Sequence, residues 1–117
     1  MTGLRDVMQN LAARDGVQAV LVVSNDGLTI DQIDQGGPDL ESVAALVPAL
    51  AQAAAQVGEA SDGGALALAV LEFKGRMLVV STLHEGMNLI VLTAADANIG
   101  QLLYDLHRHR PALIELL

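Results

Sequence analysis

The spacing of apolar and polar residues along the first third of the chain predicts a helix followed by a hairpin. Residues 4–14 carry apolar side chains at i, i+3, i+4 and i+7, which is one face of an amphipathic helix. Residues 17–24 form a β-branched apolar run, and the turn Asn25-Asp26-Gly27 leads from it into residues 28–33, where apolar and polar residues alternate. We therefore expect two antiparallel strands, the second of which is buried on one side only.

A long second helix is predicted after the break at residues 35–38. Asp39 is a favourable N-cap residue, and Gly58 is expected to lie just beyond the helix end. Pro48 lacks a backbone N–H and should bend the helix. The predicted core-facing stripe consists of Leu40, Val43, Val47, Leu50, Ala54 and Val57.

The second half of the chain predicts a three-stranded meander and a last helix. Strand-like runs at 65–73, 76–83 and 87–94 are joined by short connections containing glycine, which only antiparallel neighbours can use. Asp96 is expected to cap the last helix and Pro111 to close it. The order αββαβββα in 117 residues, without a linker or repeat, predicts one α+β domain spanning residues 1–117.

The outward side of the second helix is almost free of charge. Glu41 is the only charged residue between Leu40 and Val57, although a helix with one wet side normally carries charges there. Small uncharged residues let another helix approach closely, so we expect a second subunit or a partner protein to cover this side. The alternative is that alanine merely raises helix propensity on a solvated surface. The expected partner-binding residues are Glu41, Ala45, Pro48, Ala49, Gln52 and Gln56.

The first strand of the meander has two interpretations. Residues 65–71 are apolar on both sides and include no Lys, Pro or charge that would protect a free edge. The strand is either central in the sheet or an edge that pairs with the same strand of a second copy. In the second case the dimer interface would consist of Ala65, Leu66, Ala67, Leu68, Ala69 and Val70.

Composition and charge narrow the classes of partner. Fourteen acidic and six basic residues give a net charge of −8, which disfavours nucleic acid and anionic lipid. Several acids lie between residues 26 and 41, where they either steer a basic partner or only aid solubility. The longest uninterrupted apolar run has seven residues, against the roughly 20 of a spanning helix, and no secretory signal is recognisable. We therefore expect no membrane insertion and a cytoplasmic location.

The residues that usually carry chemistry form no recognisable site. His107 and His109, in the basic segment 107–110, are two residues apart and are expected near a helix C-terminus, where positive charge is favourable. His84-Glu85 is expected in a turn with no nucleophile beside it. The sequence has no cysteine, and its glycine-rich segments match no phosphate-binding motif. We therefore predict no enzymatic activity, no catalytic residue, no bound metal and no cofactor.

The order of these segments resembles the Roadblock (dynein light chain) family. The resemblance covers nearly the whole chain. It implies a Roadblock/profilin-like fold, in which a five-stranded antiparallel sheet lies between the second helix on one face and the first and third helices on the other. The resemblance rests on the first hairpin at 16–28, the Ala-rich second helix, the strand end Glu72-Phe73-Lys74-Gly75, and Leu89-Ile90-Val91-Leu92 followed by Asp96-Ala97-Asn98-Ile99-Gly100.

The same resemblance implies a function. Family members dimerise by pairing their third strands into a ten-stranded sheet, and their second helices then lie side by side. Bacterial members resemble regulators of Ras-like small GTPases that supply no arginine finger, which agrees with the lack of Arg and Lys between Arg14 and Lys74. The chain is thus expected to be a non-enzymatic homodimeric regulator or adaptor of such a GTPase. A structural scaffold and a small-ligand sensor module are the alternatives.

Overall fold

The computed structural model describes residues 3–84 and 86–116, which form three helices and five strands in the predicted order αββαβββα. The elements are α1 Leu4–Ala12, β1 Val17–Ser24, β2 Thr29–Asp34, α2 Leu40–Ala60, β3 Leu68–Glu72, β4 Arg76–His84, β5 Met87–Ala94 and α3 Ile99–Leu116.

The five strands form a single antiparallel sheet in the order β2-β1-β5-β4-β3. The central strands β1 and β5 are buried on both faces, as their continuous apolar runs require. The two edges are β2 and β3. The predicted α+β class and five-stranded sheet are therefore confirmed, and the first strand of the meander lies at an edge.

Each face of the sheet has its own apolar core. Helices α1 and α3 pack together on one face, where their buried side chains meet those of the sheet. Among the described elements, α2 alone packs on the other face. The core beneath α1 and α3 includes Val7, Met8, Leu11, Val20, Val22, Val79, Val91, Leu102, Leu106 and Leu113. The core beneath α2 consists of Ala19, Leu21, Val23, Leu40, Ala44, Val47, Leu78, Val80, Ile90 and Leu92.

The third helix differs most from its prediction. Its first turn is capped by the side chain of Asn98, whose Oδ1 accepts the N–H of Gln101 at 3.2 Å, and not by Asp96. The helix also continues through Pro111 to Leu116. An interior proline costs about 3 kcal/mol, and burial of Leu113 beyond it offsets part of this cost and holds the last turns against the core. The basic segment 107–110 therefore lies inside the helix and not at its C-terminus.

Other predicted boundaries also shift. Strand β3 begins at Leu68 and not at residue 65, so the first three residues of the predicted strand precede it. Helix α2 includes Gly58 and ends at Ala60, because the loop turns back so closely that Gly63 N–H donates to the Gly58 carbonyl at 2.7 Å. His84 ends β4 instead of lying in the turn, and Glu85 lies outside the described residues.

The predicted burial was wrong for three apolar residues. Leu28 and Ile30 are exposed. Asp31 and Ile33, opposite Val22 and Val20 of the core beneath α1 and α3, are the residues of β2 that face α1, and the register shift between Val22 and Val23 skips Ile30. Val57, at the end of the predicted core-facing stripe, is 67% exposed, since the C-terminal half of α2 buries no side chain completely.

The approach of Gly16 to Ala97 gives a stability test with an internal control. Gly16 and Gly36 have φ of +87° and +85°, so alanine at either position costs roughly 1–2 kcal/mol of backbone strain. A Cβ on Gly16 would also lie 2.8 Å from the Ala97 Cβ, whereas one on Gly36 meets nothing within 4 Å. In urea unfolding, we expect Gly16→Ala to lose about 1 kcal/mol more than Gly36→Ala. Equal losses would contradict this close approach.

Candidate protein-interaction surfaces

Helix α2 presents a wide apolar side to solvent. Of its 21 residues only Leu40, Ala44 and Val47 are buried. Leu46 and Val57 are 69% and 67% exposed, and acidic residues are confined to the two ends of the helix. Of the predicted partner-binding residues, Pro48 is half-buried and the other five are exposed: Glu41, Ala45, Ala49, Gln52 and Gln56.

The length and composition of α2 also satisfy the criteria for a membrane span. Among the described residues it is the one helix that does so, with a mean hydropathy of 1.3. Core helices of soluble proteins pass the same test, and α2 packs one side against the sheet. The sequence criterion of an uninterrupted apolar run did not detect this property, because Pro48, Gln52 and Gln56 interrupt the run.

Two local features fix where α2 lies. Asp39 caps its N-terminus, because Oδ1 accepts the Ser42 N–H at 3.2 Å and Oδ2 accepts the Ser42 hydroxyl at 2.6 Å. At Gly27, with φ +80°, a Cβ would lie 3.2 Å from the backbone of Ala45, so glycine in the β1–β2 turn allows the helix to approach. The hydrogen bonds from the Ser42 hydroxyl and N–H lower the pKa of the Asp39 carboxyl.

Strand β3 presents an edge whose backbone groups are open. Opposite residues in an antiparallel pair alternate between hydrogen-bonded and non-hydrogen-bonded pairs. Phe73 and Arg76 each donate a backbone N–H to the other's carbonyl, so they form a hydrogen-bonded pair. By alternation, the pairs that involve Leu68, Val70 and Glu72 are not hydrogen-bonded to β4. The N–H and C=O groups of these three residues therefore point away from β4. Among the described residues, no side chain hydrogen bonds to them.

A cleft of about 630 Å³ joins the two predicted surfaces. One wall is the side of α2 that carries Ala45, Pro48, Ala49 and Gln52. The facing wall includes the segment that precedes β3 and the β4–β5 end of the sheet. Its residues include Ala65, Leu66, Thr82, His84 and Asn88. The structure thus brings the residues predicted for partner binding beside the first two predicted for dimerisation, which the sequence alone did not indicate.

Sequence reasoning missed a second, apolar groove on the opposite side of α2. It has a volume of about 280 Å³ and lies between the helix and the ends of β3 and β4. Phe73, the only phenylalanine of the chain, is 55% exposed at this groove. Leu46, Leu50 and Leu71 also line it. The signal in the sequence was the pair of large apolar residues, Leu46 and Phe73, which fit neither predicted core stripe nor turn.

The ionisable residues form no cluster that resembles a catalytic or metal site in the described parts of the chain. No group of three His, Asp or Glu side chains there is placed to hold a metal ion. His84 lines the cleft beside α2, whereas His107 and His109 lie on α3 on the other face of the sheet. Asp105, the most buried carboxylate that the structure describes, forms an ion pair with Arg14 that links α3 to the segment after α1.

Comparison with known proteins agrees with this architecture. Residues 4–93 match the family model of the Roadblock/LC7 domain. No curated protein matches the chain in sequence. A Roadblock/LC7 domain from Streptomyces avermitilis is 27% identical and superposes with a TM-score of 0.80, over 97% of this chain and 99% of that one.

Two solved structures of MglB are also similar. The gliding protein MglB of Thermus thermophilus is 18% identical and MglB of Myxococcus xanthus 16%, each with a TM-score of 0.87. The superpositions cover 97% of this chain, and 87% and 93% of the respective MglB chains. At this level of identity the likeness shows a shared fold.

The fold defines an α+β module with one sheet between unequal helical layers. With the family match over residues 4–93, the chain belongs to the Roadblock/LC7 domain family.

The two candidate caps give a test of how α2 is positioned. Asp39→Ala should lower the free energy of unfolding, because it removes the cap of α2, whereas Asp96→Ala should not, because Asn98 caps α3. Because the pKa of Asp39 is lowered in the folded state, its charged carboxylate contributes to the free energy of unfolding above its ordinary pKa. This contribution is lost as the pH falls through the folded-state pKa. Urea unfolding at pH 7 and at acidic pH should therefore show a larger difference between the two variants at pH 7. An equal effect of both substitutions would contradict the assignment.

Proposed function

We propose that the protein is a non-enzymatic homodimeric regulator or adaptor of a Ras-like small GTPase in bacterial cytoplasmic signalling. The observation that carries this proposal is the uncharged, largely exposed outer side of α2, which covers one face of the sheet but is itself uncovered. Exposed apolar surface of this kind is typical of protein–protein interfaces. Membership of the Roadblock/LC7 family and the likeness to MglB, a gliding protein, support the choice of partner.

The dimer in this proposal forms through β3. The outward backbone groups of Leu68, Val70 and Glu72 are self-complementary under a two-fold axis at Val70. Val70 would pair with Val70 of a second copy, and Leu68 with Glu72, which satisfies every outward group of the strand. Ala65, Leu66 and Ala67 precede the strand, so they would flank this pairing and do not belong to the ladder.

Partner binding in this proposal uses the α2 side of the dimer. The apolar side chains and amides of Ala45, Ala49, Gln52 and Gln56 can be buried by a partner without leaving a charge unpaired. Catalytic residues for GTP hydrolysis would come from the GTPase itself, because α2 carries no Arg or Lys. The chain would then act by rearranging or holding the partner's own loops.

Proline substitution separates dimerisation from folding. The Val70 N–H points outward, so Val70→Pro removes a dimer hydrogen bond and spares the β3–β4 ladder. The N–H of Ala69 points toward β4, so Ala69→Pro breaks a bond within the subunit. In sedimentation equilibrium we expect a dimer of two 12.2 kDa chains for the natural sequence and a folded monomer for Val70→Pro. Ala69→Pro should be the less stable variant. A dimeric Val70→Pro variant would contradict the β3 interface.

A charge on α2 tests partner binding. Ala49→Glu would bury an unpaired carboxylate in the interface, so affinity for a Ras-like GTPase of the same organism should fall at least roughly tenfold. Ala112→Glu makes the same change at an exposed position on α3 and serves as the control. Isothermal titration calorimetry measures the affinity of each variant for the GTPase bound to GDP or to a non-hydrolysable GTP analogue. The mass of each variant in solution is measured as well, to verify its oligomeric state.

Three results would separate the possible roles. Binding that Ala49→Glu abolishes and Ala112→Glu preserves supports the proposed surface. Binding with an unchanged rate of GTP hydrolysis would favour the adaptor role over activation. Equal affinity of both variants would contradict the assignment of α2.

A further inference from the structure

The two edge strands of the sheet differ in what occupies their outward backbone groups. In the β1–β2 ladder, hydrogen-bonded and non-hydrogen-bonded residue pairs alternate. The Gln35 N–H donates to the Gln18 carbonyl at 3.0 Å, which identifies one hydrogen-bonded pair. Because Leu21 lies three residues after Gln18 on β1, the Leu21–Gln32 pair is a non-hydrogen-bonded pair. The N–H and C=O of Gln32 therefore point away from β1, toward the free side of β2.

Both outward groups of Gln32 are occupied by side chains. Its carbonyl accepts from Arg5 Nη1 at 2.7 Å, and its N–H donates to Asp31 Oδ1 at 2.8 Å. The same Arg5 Nη1 lies 2.7 Å from Asp31 Oδ1, so the two side chains that contact the backbone of Gln32 also form an ion pair with each other. We call this arrangement of Arg5, Asp31 and Gln32 the β2 clamp. It occupies the outward groups in the middle of the strand.

The surroundings of the β2 clamp would otherwise favour association. Leu28, just before β2, and Ile30 within it are 64% and 49% exposed. An edge strand with exposed apolar residues and free backbone groups is a template for pairing with another chain. Strand β3, by contrast, has no such clamp over the outward groups of Leu68, Val70 and Glu72 among the described residues.

We infer that the β2 clamp closes this edge to a second copy of the chain and so confines self-association to β3. With one open edge, two-fold pairing gives a closed dimer. With both edges open, β3–β3 and β2–β2 contacts would alternate and the sheet would extend from dimer to dimer without closing. This inference goes beyond the proposed function, since it concerns what limits assembly and does not involve a GTPase.

The test releases the clamp without changing the net charge. Arg5→Ala alone would leave Asp31 as an added negative charge that repels a second β2 edge, so Arg5→Ala and Asp31→Thr are combined. The matched control combines Arg108→Ala with Glu115→Ala, which removes one exposed base and one exposed acid from α3. Circular dichroism verifies that each variant is folded, and sedimentation equilibrium over a range of protein concentrations gives the mass.

The expected result is a mass that rises with concentration above that of the natural protein for the clamp variant only. Adding Val70→Pro to the clamp variant should stop this growth at a dimer, because β2 is then the only open edge. A folded clamp variant with the same mass as the natural protein at every concentration would overturn the inference. Growth in the control variant to the same extent would overturn it as well.

The outcome is distinguishable from failure of the proposed β3 interface. If the natural protein is a monomer, the β3 interface is wrong, but the clamp variant should still form a dimer through β2. If the natural protein is a dimer and the mass of the clamp variant does not exceed that of a dimer, the β3 interface is supported and the β2 clamp has no role in limiting assembly.

Discussion

The rest of the structure depends on the unequal cover of one sheet. The central strands β1 and β5 are apolar on both faces, so both faces must be excluded from water. Two helices cover one face, and their side chains Met8, Leu11 and Leu106 are fully buried. A single helix covers the other face. Helix α2 seals that face with Leu40, Ala44 and Val47, and its outer side remains exposed although it carries almost no charge.

This asymmetry relates the surfaces to one another. The cleft lies between the exposed side of α2 and the segment that precedes β3, so a partner copy at β3 would also lie near the side of α2 that carries Ala45, Ala49 and Gln52. The opposite edge is different, since Arg5 and Asp31 occupy the outward backbone groups of Gln32. The molecule thus has one edge suited to association and one protected against it, which is what a closed dimer requires.

The sequence predicted what periodicity controls and missed what packing between distant residues controls. Element order, the α1 face and the Asp39 cap follow from local patterns and were correct. Whether residues 65–71 lay at an edge depended on strand order, which no local pattern specifies. The passage of α3 through Pro111 depends on burial of Leu113 against α1 and the sheet, and the β2 clamp depends on a contact between residues 26 positions apart. The candidate surface on α2 could be predicted from the sequence because absence of charge is a local property.

Amide hydrogen exchange along β3 tests the central claim most directly. The N–H groups of Ala69 and Leu71 point toward β4 and are protected within one subunit, whereas those of Leu68, Val70 and Glu72 point outward. If β3 pairs with a second copy, all five amides exchange slowly at high protein concentration, and the three outward ones lose protection on dilution. Fast exchange of Leu68, Val70 and Glu72 at every concentration, beside protected Ala69 and Leu71, would contradict the account.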